Sequence, residues 1–142
     1  MSSFTHSTTT AADPAATWVA LQQGSTWEGL GGVEEVRNVV HDGDALRSFS
    51  FTAHAAGRDH PGEAMVRKSQ EPDLLVLEIS TRDLGGTIST RLASVDDGTQ
   101  ITVTIAMEPK SMLVRLAFGA VQASVQNGMP RQVEAFARRI GG

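Results

Sequence analysis

Residues 87–107 read TISTRLASVDDGTQITVTIAM, and residues 108–140, EPKSMLVRLAFGAVQASVQNGMPRQVEAFARRI, follow directly. The first stretch alternates apolar and polar side chains around Asp97-Gly98, a dipeptide that closes tight hairpins because it tolerates positive φ. The second places Leu113, Leu116, Ala117, Ala120, Val121, Ser124, Val125, Val133, Phe136, Ala137 and Ile140 on one stripe of period 3.6. A hairpin that runs into a long amphipathic helix is therefore the centre of the fold. Pairing across Asp97-Gly98 sets Ser94 opposite Ile101, Leu92 opposite Val103, Thr90 opposite Ile105 and Ile88 opposite Met107, with Arg91, Gln100, Thr102 and Thr104 on the wet reverse face. The apolar face of this hairpin is expected to form a wall facing Leu116, Ala120 and Val125. Pro130 lacks a backbone donor, so the helix should kink or divide near Gly128.

Working back along the chain, the apolar run of residues 74–80 reads as a central strand, bounded by turns at Glu71-Pro72-Asp73 and at residues 83–86. Residues 63–69 form the strand before it. Residues 55–62, with Gly57, Asp59 and Pro61, read as a turn-rich loop. Asp42-Gly43 closes another hairpin, whose arms put Val36, Asn38, Val40, Arg47, Phe49 and Phe51 on one face. Arg47 and Asn38 are the polar exceptions there, at a rim or facing a cavity. Nearer the N-terminus, Ser25 and Glu28 have capping-box spacing for a short helix carrying Trp27 and Leu30, which Gly31-Gly32 stops. A first short helix is capped by Asp13, holds Pro14 in its first turn and buries Trp18 and Leu21. Residues 3–10, rich in Ser and Thr, read as strand one.

The chain's 142 residues suit one domain, so residues 1–142 are expected to fold as a unit. A formal net charge of −4 lacks the basic footprint that phosphate backbones select, which argues against a nucleic-acid partner. With no cysteine, disulfides, thiolate metal sites and cysteine nucleophiles are excluded. The polar first ten residues are no signal peptide, and residues 116–130 are too short and too polar for a span, so a soluble, cytoplasmic protein without stable membrane insertion is expected.

One strand, two short helices, six further antiparallel strands and a long terminal helix form a particular order. Together with Ala12-Asp13-Pro14 followed by Trp18, and Asp97-Gly98-Thr99 before the last strand, it resembles the START-like superfamily of helix-grip proteins. That group includes polyketide cyclase and dehydrase-like proteins and the Bet v 1 type. The resemblance implies an α+β helix-grip fold in which a seven-stranded curved antiparallel sheet wraps the C-terminal helix around a cavity for an apolar molecule. It fixes no activity, since one fold hosts unrelated sites.

The expected ligand-binding residues are Trp27, Asn38, Arg47, Phe49, Phe51, Thr90, Leu92, Val103, Ile105, Phe118 and Val121, an apolar lining with a few polar groups to orient a ligand. The expected partner is a small hydrophobic molecule such as a lipid, sterol or polyketide, held by a monomer or homodimer without a cofactor. His54, Asp59 and His60 match no tight metal-ligand spacing, so no metal is expected. The alternative reading is a cyclase or dehydratase acting on an aromatic or enone substrate. It needs a general acid or base in the pocket, for which His6 and Glu78 are the candidates, although strand alternation points Glu78 outward.

Overall fold

The structure, a computed structural model, describes residues 2–30, 32–55 and 57–141, the side chains of Ala55 and Leu113 excepted. Strand β1 (Ser2–Thr10) leads into α1 (Pro14–Leu21) and a 3₁₀ turn (Gly24–Trp27). Six strands follow, β2 (Val33–Asp42), β3 (Ala45–Ala55), β4 (Arg58–Gln70), β5 (Leu74–Thr81), β6 (Leu84–Val95) and β7 (Gly98–Pro109), then α2 (Met112–Leu116) and α3 (Phe118–Gly141). The sheet is seven-stranded, curved and antiparallel, in the order β1-β7-β6-β5-β4-β3-β2. All neighbours but one are consecutive hairpins. The exception is β1, which the passage through α1 and the 3₁₀ turn frees to pair with β7.

Asp13 caps α1 as expected, its carboxylate accepting from the Ala16 amide at 2.7 Å, with Pro14 in the first turn. The helix expected over Ser25 and Glu28 is instead the tighter 3₁₀ turn. It ends at Trp27, two residues before Gly29, which takes φ 91°. Gly31, expected to stop that helix, lies outside the described residues.

The β6–β7 hairpin differs from its expected register by two residues. Leu92 faces Ile101, Thr90 faces Val103, Ile88 faces Ile105, Gly86 faces Met107 and Ser94 faces Thr99. Val95 pairs with Gly98, so the two-residue loop is Asp96-Asp97. Because the shift is even, every side chain keeps its face. Gly98 serves a different purpose from the turn. Its φ is 149°, and a Cβ there would lie 1.9 Å from the Thr10 carbonyl oxygen, so glycine lets the end of β1 close onto β7.

The β2–β3 pair departs further. The register slips at three points along it, with Glu35 (φ 49°) and Asn38 (φ 53°) in the left-handed region. Each slip adds one residue to one strand and breaks the simple alternation of faces. The expected inward placement of Asn38, Val40 and Arg47 is thereby overturned. Asn38 is exposed and its Nδ2 donates to Ser50 Oγ on the outer face at 3.4 Å, while Val40 is exposed. At the slip between the Val40–Ser48 and His41–Leu46 pairs, Leu46 is buried, and Arg47 is left 63% exposed beside Asp42 at 3.5 Å. The first two bulges are on β2, an edge strand, where they hinder pairing with another chain.

Residues 55–62 are not a loop. β3 ends at Ala55 and β4 begins at Arg58, so His54 pairs with Asp59 and Ala53 with His60 across the sheet. Of that span, Ala56 lies outside the described residues.

The C-terminal helix is divided, but at Ala117 rather than near Gly128. Pro130 lies inside α3, on its exposed side, where water can satisfy the carbonyl that loses its donor. The break turns Leu116 out to solvent, 81% exposed, so it does not face the hairpin wall as expected. The side chain of Leu113, on the same expected stripe, lies outside the described residues.

The main core sits between the sheet and the C-terminal half of α3. Met129, Val133, Phe136 and Ala137 are buried against Leu75, Leu77, Leu92, Ile101 and Val103, with Trp18, Leu21 and Trp27 in the same cluster. Trp27 tilts onto Phe136 at 5.6 Å between ring centroids, and its indole Nε1 donates to the Leu21 carbonyl at 3.0 Å. Before Met129, α3 buries only Val121 among the described residues. Space remains under that stretch.

Candidate ligand cleft

That space has two parts. An inner cavity of about 70 Å³ is lined almost wholly by apolar side chains, among them Val33, Phe51, Ile79, Leu84, Ile88, Ile105 and Met107. Ala53, Leu84 and Met107 also line an adjacent outer cleft of about 530 Å³. On one side the outer cleft is walled by Ala120, Val121, Ser124 and Val125 of α3. On the other stand Gly32 and the β3–β4 turn with His54, Gly57, Arg58 and Asp59. A mostly apolar cavity of this kind offers water few partners and favours an apolar guest. Its width depends on small residues. Gly86 is the clearest, since a Cβ there would lie 2.1 Å from the Ala106 carbonyl oxygen and push β6 from β7.

Of the residues expected to bind a ligand, Phe51 and Ile105 line the inner cavity and Val121 lines the outer cleft. Trp27, Phe49, Thr90, Leu92 and Val103 are buried in the packed core and line neither part. Phe118 is half-buried at the start of α3, also outside the lining, and Asn38 and Arg47 are in solvent. Ile88, Met107, Ala120 and Val125 of the expected wall all take part. Sequence reasoning missed Val33, Ile79, Leu84 and the rim residues of the β3–β4 turn. The Gly85-Gly86 pair was the available clue, since two adjacent glycines within a strand leave a gap in its apolar face.

Thr90 faces inward as its register predicts, and its hydroxyl has no hydrogen-bond partner among the described residues. It lies two positions along β6 from the cavity-lining Ile88. A buried hydroxyl left unpaired costs about 1–3 kcal/mol. Thr90→Val, nearly isosteric, should therefore raise the stability of the free protein by about 1 kcal/mol, read from urea denaturation. A loss of stability would show that the hydroxyl is satisfied.

The floor of the mouth is held by polar contacts. His60, 5% exposed, donates from Nδ1 to Asp83 Oδ2 at 3.1 Å. The Ser111 hydroxyl, and then His60, hold the Asp83 carboxyl below the usual aspartate value. Thr81 Oγ1 accepts from the Leu84 amide at 2.9 Å, and Lys110 Nζ donates to the Thr81 carbonyl at 2.7 Å. Together these tie β4, the β5–β6 turn and the approach to α2. His54 pairs with Asp59 at the rim, whereas His60 engages Asp83, so the two histidines do not converge. No three His, Asp or Glu side chains gather into a metal-binding group among the described residues.

Neither acid/base candidate reaches the cavity. Glu78 is half-exposed and pairs with Arg67 at 2.7 Å. His6 Nε2 donates to Glu134 Oε1 at 3.0 Å and Thr8 Oγ1 to Glu134 Oε2 at 2.9 Å, a clasp between β1 and α3. The His6 hydrogen bond first, then that from Thr8, lowers the Glu134 pKa from its ordinary 4.5. A lowered carboxyl pKa contributes stability above the ordinary value and loses it as pH falls through the folded value. Glu134→Gln should thus flatten the fall in Tm below pH 4.5, with Asp83 supplying what remains. An unchanged Tm–pH slope would exclude the clasp.

No protein-family model matches the sequence. No curated protein matches it either. Solved structures do. A START superfamily protein from Mycobacterium smegmatis superposes with a TM-score of 0.65 at 10% identity, covering 94% of this chain and 97% of that one. The chain has the START-like helix-grip fold. Two further helix-grip relatives in shape come from Thermus thermophilus (TM-score 0.70, 16% identity, 98% and 97% covered) and Deinococcus radiodurans (TM-score 0.70, 9% identity, 99% and 98% covered). At these identities the likeness carries the fold, and the binding argument for this helix-grip chain rests on its own cleft.

Proposed function

We propose that this protein binds a small hydrophobic molecule, of the lipid, sterol or polyketide kind, with its apolar end in the inner cavity and its bulk in the outer cleft. The observation that carries the reading is an apolar cavity that lies beside an open cleft and shares the lining residues Ala53, Leu84 and Met107 with it. An apolar cavity set beside an open cleft suits a guest with an apolar end and a bulkier remainder. Arg58, exposed at the rim, suits a polar or anionic end of the guest left near solvent. Binding without turnover is the better supported of the two readings. His6 and Glu78, the groups a cyclase or dehydratase would use, contact Glu134 and Arg67 instead.

Native mass spectrometry of protein purified from its host tests the reading. The expected spectrum contains a second species heavier by one small molecule, which organic solvent extracts. A single ligand-free species, unchanged after incubation with fatty acids, sterols and aromatic polyketides, would overturn it.

A further inference from the structure

Met112 and Leu116 are the most exposed large apolar side chains among the described residues, at 70% and 81%. They stand four positions apart on α2, a spacing that puts two side chains on one face of a helical turn. Single exposed apolar residues are ordinary on a protein surface. Here two long ones share a helix of five residues, whose fully buried Val114 anchors its other face. The break at Ala117 keeps this pair apart from the inward stripe of α3.

The charges around α2 have one prevailing sign. Arg115 lies on the helix, Lys110 just before it, and Arg82 in the β5–β6 turn, which the Lys110 amide joins by donating to the Asp83 carbonyl at 2.7 Å. All three cations are exposed, and none makes an ion pair among the described residues. Lys110 Nζ donates to Ser80 Oγ and to the Thr81 carbonyl, neutral acceptors that leave its charge in place. Asp83 is engaged by His60 and Ser111, which leaves Glu108 as the acid of this stretch facing water. The turns at the opposite end of the sheet contrast with it. The β2–β3, β4–β5 and β6–β7 turns carry exposed Asp42, Asp44, Glu71, Asp73, Asp96 and Asp97 and no lysine or arginine.

Two projecting apolar side chains flanked by cations are complementary to an anionic bilayer, where aliphatic groups enter between headgroups and cations meet phosphates. A second copy placed on the same patch by a two-fold axis would set like charges together. A protein partner would have to enclose two side chains that this chain surrounds with water rather than with a groove. We propose that the α2 end of the molecule docks on an anionic lipid surface, with Met112 and Leu116 entering the interface and Arg82, Lys110 and Arg115 meeting the headgroups. With a net charge of −4, the chain is repelled by such a surface in other orientations, above all through its acidic turns. The contact is interfacial, since no described helix is long and apolar enough to cross a membrane.

The test is co-sedimentation of the intact protein with sucrose-loaded vesicles of equimolar phosphatidylglycerol and phosphatidylcholine at low ionic strength. Saturable partitioning is expected, weakening as salt screens the charges, and at least about tenfold weaker on phosphatidylcholine alone. Met112→Ser/Leu116→Ser should lower the partition coefficient at least about tenfold with circular dichroism unchanged, since both side chains are in solvent. Arg115→Gln should lower it about fivefold, the share of one cation at an anionic surface. Val19→Ser, an exposed site that lines a recess with Asp44 and Glu71, should leave it as in the wild type. The patch shares Met112, Arg115 and Leu116 with neither part of the ligand cleft. The double serine variant should therefore keep any affinity for the apolar probe 2-naphthol, so docking and the ligand-binding reading can fail separately. Absence of partitioning would overturn the proposal. So would equal partitioning of the double serine variant, equal partitioning on the two kinds of vesicle, or saturable binding of the acidic peptide Glu-Leu-Glu-Leu-Glu by a protein that ignores vesicles, which would assign the patch to a protein partner.

Discussion

Phe136→Ala lowers the free energy of unfolding by about 3–5 kcal/mol, measured by urea denaturation, a large fraction of what holds a domain of this size folded. Phe136 is fully buried at the point where α3 meets the sheet, and its ring rests on Trp27. Removing it deletes the apolar transfer term, opens a hole between the two layers and strips Trp27 of its aromatic neighbour. Trp27 itself is braced by its bond to the Leu21 carbonyl, so the indole cannot collapse into the gap without losing that bond. Leu116→Ala provides the contrast. The stripe pattern gives both residues the same inward role, yet Leu116 is in solvent, and its loss should change stability by no more than about 0.5 kcal/mol. A loss from Leu116→Ala comparable to that from Phe136→Ala would mean that the helix does not break at Ala117.

Ala53→Phe abolishes or weakens by at least about tenfold the binding of an apolar probe such as 2-naphthol, read by equilibrium dialysis or fluorescence. Ala53 lines both the inner cavity and the outer cleft, opposite Val33 on β2. A phenyl group at this shared wall takes up space in both. Some overpacking accompanies it, at a cost of about 1–3 kcal/mol, so the variant's circular dichroism is compared with that of the wild type. A folded Ala53→Phe protein that binds the probe as tightly as the wild type would place the ligand elsewhere.

The fold was legible because its two main periodicities are clean. Residues 99–107 alternate without interruption and α3 keeps its apolar stripe through Phe136 and Ile140, so strand, helix and their order follow from side-chain spacing. The two-residue error in the β6–β7 register did no harm to the placement of side chains, since an even shift conserves faces. The β2–β3 error was harmful because a bulge is an odd shift. Glu35 and Asn38 adopt a left-handed conformation that non-glycine residues seldom take, and nothing local in the sequence announces it. Arg47 and Asn38 were lost from the site for that reason.

The candidate site was legible only in part. Parity tells which residues face inward but not which inward residues pack tightly and which border a void. Phe49 and Phe51 share a face, yet only Phe51 reaches the cavity. Thr90, Leu92 and Val103 face inward too, at a level of the sheet where α3 is already seated with Val133 and Phe136. The void lies where α3's side chains become small, at Ala120 and Ser124, and where β6 carries Gly85-Gly86. Locating it requires the depth of each residue along the helix axis, which depends on the break at Ala117 rather than at Pro130.

The most direct measurement of ligand binding is a methyl-detected NMR titration of the intact protein with 2-naphthol. Saturable shifts are expected that are confined to the methyl groups of Val33, Ile79, Leu84, Ile88, Ile105, Met107 and Val121 and absent in Ala53→Phe. Shifts that rise linearly without saturation, or that centre on exposed Val19, Val40 and Leu116, would contradict that expectation.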